Sequence, residues 1–141
     1  MSNSEDKQNL LLFCSWMVAV IATAGSLFFS EVIGFIPCEL CWYQRIFMYP
    51  LTILLAIAVI KKDMNFVLPT LILSLVGAAI AFYHYLLQKV PAMAKVDSCG
   101  IIPCSGQYIN WLGFITIPFL SLIAFVIIIL ICIKLLQLMK R

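Results

Sequence analysis

Two close pairs of cysteines are the residues of this sequence best suited to chemistry. Cys38 and Cys41 lie in Cys38-Glu39-Leu40-Cys41, and Cys99 and Cys104 lie in Cys99-Gly100-Ile101-Ile102-Pro103-Cys104. Two thiols with two residues between them can close on one another. At a helix start, which Pro37 suits, the free amides and the positive dipole end favour the reactive thiolate. Two such pairs on one side of a membrane can exchange disulfides in series. Three other uses compete: inert structural disulfides, a zinc held by four thiolates, and cysteines with no role. The unlike spacings weigh against zinc, and inert staples stay open as the chief rival to redox exchange.

Arg45 lies four residues after Cys41, hence on the same helical face one turn deeper. An arginine just inside an apolar segment is costly and marks a candidate site. It can lower the pKa of Cys41 or donate hydrogen bonds to a carbonyl oxygen of a ligand. The alternative is a side chain that snorkels to the headgroups. His84, the single histidine, can line a ligand pocket or relay a proton. By pattern alone, a locally hydrogen-bonded histidine at a helix end is the simpler reading. Cys14 and Cys132 read as small packing residues. Glu39 and Asp97 read as solvated carboxylates.

The elements that carry these residues follow from composition. Of the 141 residues 65% are hydrophobic and 11% charged, against about half and about a quarter in soluble domains. The solvent is therefore a bilayer, and no nucleic-acid partner is expected. Four apolar runs, at about 10–29, 42–60, 66–87 and 112–133, each reach the ~20 residues that a helix needs to cross ~30 Å of hydrocarbon. They lack the alternation of barrel strands, so helices must satisfy their backbone groups. The expected fold is all-α, a single integral membrane four-helix bundle over residues 1–141. Ala22-Thr23-Ala24 has the form of a signal cleavage site. The leader, however, carries Glu5 and Asp6 against Lys7, and the run continues past the site, so an uncleaved helix is expected.

Short-loop charges orient the bundle. Lys7, Lys61, Lys62, Lys134, Lys140 and Arg141 fall on one side, and Arg45, Lys89 and Lys95 on the other. Both termini are thus expected in the cytoplasm, with outer loops 30–41 and 88–111 carrying all four paired cysteines beyond the cell membrane. Trp42, Tyr43, Tyr108 and Trp111 suit the headgroup level. Small residues at 22–26 and 77–81 allow close helix approach. Pro50, Pro69 and Pro118 fall within or near the ends of spans, where proline can kink a helix.

Cys38-Glu39-Leu40-Cys41-Trp42-Tyr43-Gln44-Arg45, four spans, two outer cysteine pairs and Phe82-Tyr83-His84-Tyr85-Leu86-Leu87-Gln88 together resemble the DsbB family of disulfide-forming membrane oxidoreductases. The short second pair resembles the compact BdbC type of Gram-positive bacteria. Other relatives separate that pair by a long segment containing a helix that lies on the membrane, and some carry an acid where Gln44 stands. The resemblance implies a quinone cofactor, menaquinone or ubiquinone, with a Gram-positive source favouring the former. It also implies a DsbA-like partner of thioredoxin fold. On that pattern the partner's thiolate attacks Cys99 of a Cys99–Cys104 disulfide, Cys104 attacks Cys38, and Cys41 faces the quinone. Arg45 matches the family's quinone-site arginine, and His84 matches a residue near the quinone. A four-helix reductase of the vitamin K epoxide reductase type is the runner-up. There, however, the quinone-side pair lies late in the chain, whereas here it opens the second span. A non-enzymatic membrane protein with two structural disulfides is the third reading.

Overall fold

A computed structural model of the chain describes residues 2–32, 39–89 and 117–140. Cys38, Cys99 and Cys104, and most of the expected loops 30–41 and 88–111, lie outside the described residues. Four long helices dominate: α1 (Ser2–Leu27), α2 (Glu39–Lys61), α3 (Val67–Lys89) and α4 (Ile117–Lys140). They supply four stretches long and apolar enough to cross a membrane: Asn3–Leu27, Trp42–Lys61, Met64–Leu86, which includes the short turn before α3, and Phe119–Lys140. No strand occurs among the described residues. The fold is all-α, a membrane four-helix bundle.

Several helices outrun the apolar segments that announce them. α1 begins at Ser2 rather than near residue 10, α3 continues to Lys89, and α4 continues to Lys140. Hydropathy reports where lipid must be met. The backbone can continue its hydrogen-bonded ladder into water beyond that point. At its other end α1 passes into a π-helical turn, Phe28–Val32, which takes up residues 30–32 of the expected first loop.

The helices pack as a ring in chain order, with α1 against α2, α2 against α3, α3 against α4, and α4 back against α1. Buried positions recur every three or four residues, as a helical stripe facing a core requires. On α2 they are Gln44, Met48, Leu51, Leu55 and Ala58, and on α3 Val67, Thr70, Ser74, Ala81 and His84. Two buried hydroxyls turn back on their own helices: Ser15 on α1 donates to the Leu12 carbonyl at 2.8 Å and Thr70 on α3 to that of Phe66 at 2.7 Å. The opposite faces carry exposed aliphatic side chains such as Ile21, Ile53, Ile60 and Leu130. Such a surface suits lipid and not water.

Small residues set how closely the helices approach. Gly77 on α3 receives the ring of Phe125 from α4, and a Cβ at Gly77 would overlap that ring. Gly25, by contrast, has nothing within 4 Å of its would-be Cβ; in the small stretch at 22–26 it is Thr23 that meets α2, its hydroxyl 3.0 Å from that of Thr52. Cys14 also departs from expectation. It is exposed on the bundle surface, whereas Cys132 is buried in the core. An apolar run shows no phase by itself, and Cys14 falls between the core positions Leu12 and Ser15.

Pro118 and Pro69 stand second in α4 and third in α3, where backbone amides have no helical acceptor and proline costs nothing. Pro50 lies inside α2 and removes an amide from that ladder. At the far end of α2, Lys62 adopts a left-handed φ of 54°, and the Asp63 amide donates to the Ala58 carbonyl at 3.2 Å. This is a Schellman-type stop. The Asp63 carboxylate then accepts the Asn65 amide at 2.9 Å and starts the 3-10 turn Met64–Phe66 that leads into α3.

Candidate functional site

A cluster of hydrogen-bonded polar side chains from different helices sits at the end where α2 begins. Cys41 is the third residue of α2, in the first turn, where backbone amides lack helical partners. One turn on, two consecutive residues of α2 reach in different directions.

Gln44 points into the bundle and is 6% exposed. Its Nε2 lies 2.9 Å from Nδ1 of His84 on α3. Its Oε1 accepts the hydroxyl of Ser121 on α4 at 2.6 Å. His84 is 1% exposed, and its bond to Gln44 joins residues 40 apart in sequence. The imidazole is thus held from a neighbouring helix. Buried polar groups without partners are costly, so the heptad-like stripes can end in polar residues here only because three helices supply one another's acceptors and donors.

Arg45 turns toward α1. Its Nε donates to Ser26 Oγ at 2.8 Å, and its Nη2 donates to the Ser26 carbonyl at 3.0 Å. The guanidinium carbon sits 5.2 Å from the centroid of the Trp42 ring, within cation–π range. One edge of the planar fork is therefore bound, and the guanidinium has further N–H donors, five in all, to offer a ligand. Ser26 stands just before the π-helical turn, in the last turn of α1, where helical carbonyls begin to lose their amide partners. Trp42 and Tyr43 are about half exposed on the outer surface, as the aromatic belt requires. Trp42 also serves as the platform for Arg45.

Gln44 and Arg45 together tie α2 to each of the other three helices at one level, one turn from Cys41. Of the residues singled out from sequence, this brings Arg45 and His84 to the same end of the bundle, on neighbouring helices. Ser26 and Ser121 were not singled out from sequence, and Gln44 was noted only as a departure from an acid. The signal was present in each case: a hydroxyl or amide at the end of an otherwise apolar span. Serines are too common at such places to be picked out before the helices are placed.

The fold and this site define a polytopic helical membrane protein with a polar cluster beside the start of a cysteine-bearing helix. The family described as "Disulfide bond formation protein DsbB" matches residues 7–135. The chain is 56% identical over 121 residues to the "Disulfide bond formation protein C" of Bacillus subtilis (strain 168), covering 85% of this chain and 88% of that protein. It is 54% identical over 123 residues to the "Probable disulfide formation protein C 1" of Bacillus anthracis, covering 86% of this chain and 88% of that protein. A "Probable disulfide formation protein" of Coxiella burnetii (strain CbuK_Q154) is 43% identical over 119 residues, covering 83% of this chain and 81% of that protein. No solved structure matches. The chain belongs to the DsbB family of membrane disulfide bond formation proteins, which are oxidoreductases.

Proposed function

We propose that this protein oxidises the thiols of a DsbA-like thioredoxin-fold partner outside the cell membrane and passes the electrons to a membrane quinone, menaquinone or ubiquinone. The observation that carries this reading is the junction one turn from Cys41, where Arg45 and His84 are each held by a partner on another helix. Hydrogen-bond donors fixed beside a redox-active thiol are what a carbonyl-bearing electron acceptor needs.

The cysteines act in series. A thiolate of the reduced partner attacks Cys99, breaks the Cys99–Cys104 bond and forms a mixed disulfide, which the partner's second thiol resolves. The partner leaves oxidised, with Cys99 and Cys104 reduced. Cys104 then attacks Cys38 and expels Cys41 as a thiolate, and Cys99 closes on Cys104 to restore that disulfide. The net result is one dithiol, Cys38 and Cys41, carrying the partner's two electrons. A bound quinone supplies the sink for those two electrons and the accompanying protons.

The donor set of the chain fits such a group. Arg45 and the ring of His84 offer N–H donors to oxygen acceptors. Tyr49 lies four residues after Arg45 on the same face of α2, and its hydroxyl is buried with no hydrogen-bond partner. A carbonyl oxygen would supply the acceptor that this hydroxyl lacks. The charge distribution supports an orientation with both termini cytoplasmic and the cysteine loops 30–41 and 88–111 outside, in one four-helix domain over residues 1–141.

The decisive assay mixes purified protein, a reduced DsbA-like partner and a soluble quinone analogue, and follows quinone absorbance. Stoichiometric reduction in the wild type and none in Cys41→Ser supports the relay. Turnover that survives Cys41→Ser excludes it.

A further inference from the structure

The Gln44 amide has a chemical consequence for His84 that a generic polar neighbour would not have. Its Nε2 carries only hydrogens to give, and it is this atom that faces Nδ1 at 2.9 Å. Nδ1 must therefore accept, so it bears no proton, and the proton of the neutral ring sits on Nε2. The amide is itself oriented from its other end, where Oε1 accepts the Ser121 hydroxyl at 2.6 Å. Reversing the amide would require the hydroxyl to turn from donor to acceptor at the same time. Gln44 is 6% exposed and His84 1%, so water does not readily substitute in either bond.

We propose that Gln44, anchored by Ser121, is a positioning residue that locks His84 in the tautomer protonated at Nε2. His84 then serves its ligand as a fixed hydrogen-bond donor and is not reloaded with a proton through Nδ1. An amide N–H is too weakly acidic to release its proton, so the path from Ser121 through Gln44 to the ring is a clamp and not a proton wire. The role toward a ligand rests on the quinone reading above, whereas the tautomer itself does not. Among the described residues, the charged and titratable groups on the helices packed around this end include Arg45 on α2, which is bound to Ser26, Tyr49 one turn on, and Tyr83 and Tyr85 on the ring's own helix. From Ile117 to Ile133, α4 brings no charged residue toward it.

Because the chain has one histidine, nitrogen NMR of protein labelled with 15N-histidine in detergent or nanodiscs reads the tautomer directly. In the wild type at neutral pH, Nδ1 should show the shift of an unprotonated nitrogen and Nε2 that of a protonated one. Gln44→Glu presents only acceptors to Nδ1 and should move the proton there, reversing the pattern. Gln44→Leu, which removes the amide without adding charge, should leave a mixture of tautomers. Ser121→Ala frees the far end of the amide and should also yield a mixture. A wild-type ring protonated at Nδ1, or a pattern unchanged in Gln44→Glu and Gln44→Leu, overturns the proposal. In the quinone assay, Gln44→Leu should lower kcat roughly tenfold, the effect of one misplaced donor worth about 1.4 kcal/mol, while disulfide exchange with the partner proceeds at the wild-type rate. A normal quinone rate with mixed tautomers would overturn the positioning role. A wild-type protein that reduces no quinone but shows the locked tautomer would overturn the quinone reading and leave the clamp standing.

Discussion

Ser26→Ala isolates what holding Arg45 is worth. The guanidinium makes two bonds to Ser26, from Nε to the hydroxyl at 2.8 Å and from Nη2 to the carbonyl at 3.0 Å. Alanine removes the first and keeps the second, because the carbonyl belongs to the backbone. A hydrogen bond from a charged donor contributes roughly 1.5–3 kcal/mol. This one is only partly buried, which lowers the figure toward about 1–1.5 kcal/mol. The remaining carbonyl bond and the Trp42 ring at 5.2 Å still bias the side chain toward its place but no longer pin that edge of the fork at two points. If Arg45 must be held to bind the quinone, the KM for quinone should rise about five- to tenfold, following ~1.4 kcal/mol per factor of ten. The assay is quinone reduction against quinone concentration at saturating reduced partner. The control is gel-shift alkylation of the partner after a single exchange with the protein in the absence of quinone, which should be unaffected. Arg45→Ala should weaken quinone use further, with that exchange again intact. An unchanged quinone KM in both variants would refute the reasoning and leave Arg45 as a side chain that merely settles at the membrane surface.

Two further substitutions test other parts of the structure. Tyr49→Phe removes a buried hydroxyl that has no partner; thermal melting in detergent without quinone should show equal or higher stability, by up to about 1–2 kcal/mol, while the quinone KM rises, and a clear loss of stability would mean that the hydroxyl is satisfied in the folded protein. Gly77→Ala forces a methyl into the Phe125 ring and should cost about 1–3 kcal/mol by overpacking; adding Phe125→Leu should recover part of the loss, and additive destabilisation in the double variant would show that the two residues do not meet.

The apolar runs made the helical fold legible because the bilayer leaves a chain few choices. Some 20 residues without charge have to be helical if no water can reach their amides. The same logic marked Arg45, since a guanidinium inside such a run is expensive and conspicuous. The paired cysteines were legible by their spacing, and the motif around Cys41 pointed to the family.

Which face of each helix turns inward was not legible. Nearly every position in these runs is apolar, so the sequence carries little phase to distinguish core from lipid. Cys14 and Gly25 are cases in point: both suit a packed interface by size, yet Cys14 is exposed and a Cβ at Gly25 would meet open space. The partners of the polar residues were hidden for the same reason. Gln44 and Arg45 are neighbours in sequence, yet they reach different helices. Only the ring of helices places His84 and Ser121 against the one and Ser26 against the other. Sequence by itself thus determined the solvent, the number of helices and the candidate reactive residues, because these depend on composition and local spacing. Tertiary structure decided which donors meet which acceptors, because that depends on helix rotation and register, and these are settled by contacts such as Phe125 on Gly77 between residues far apart in the chain.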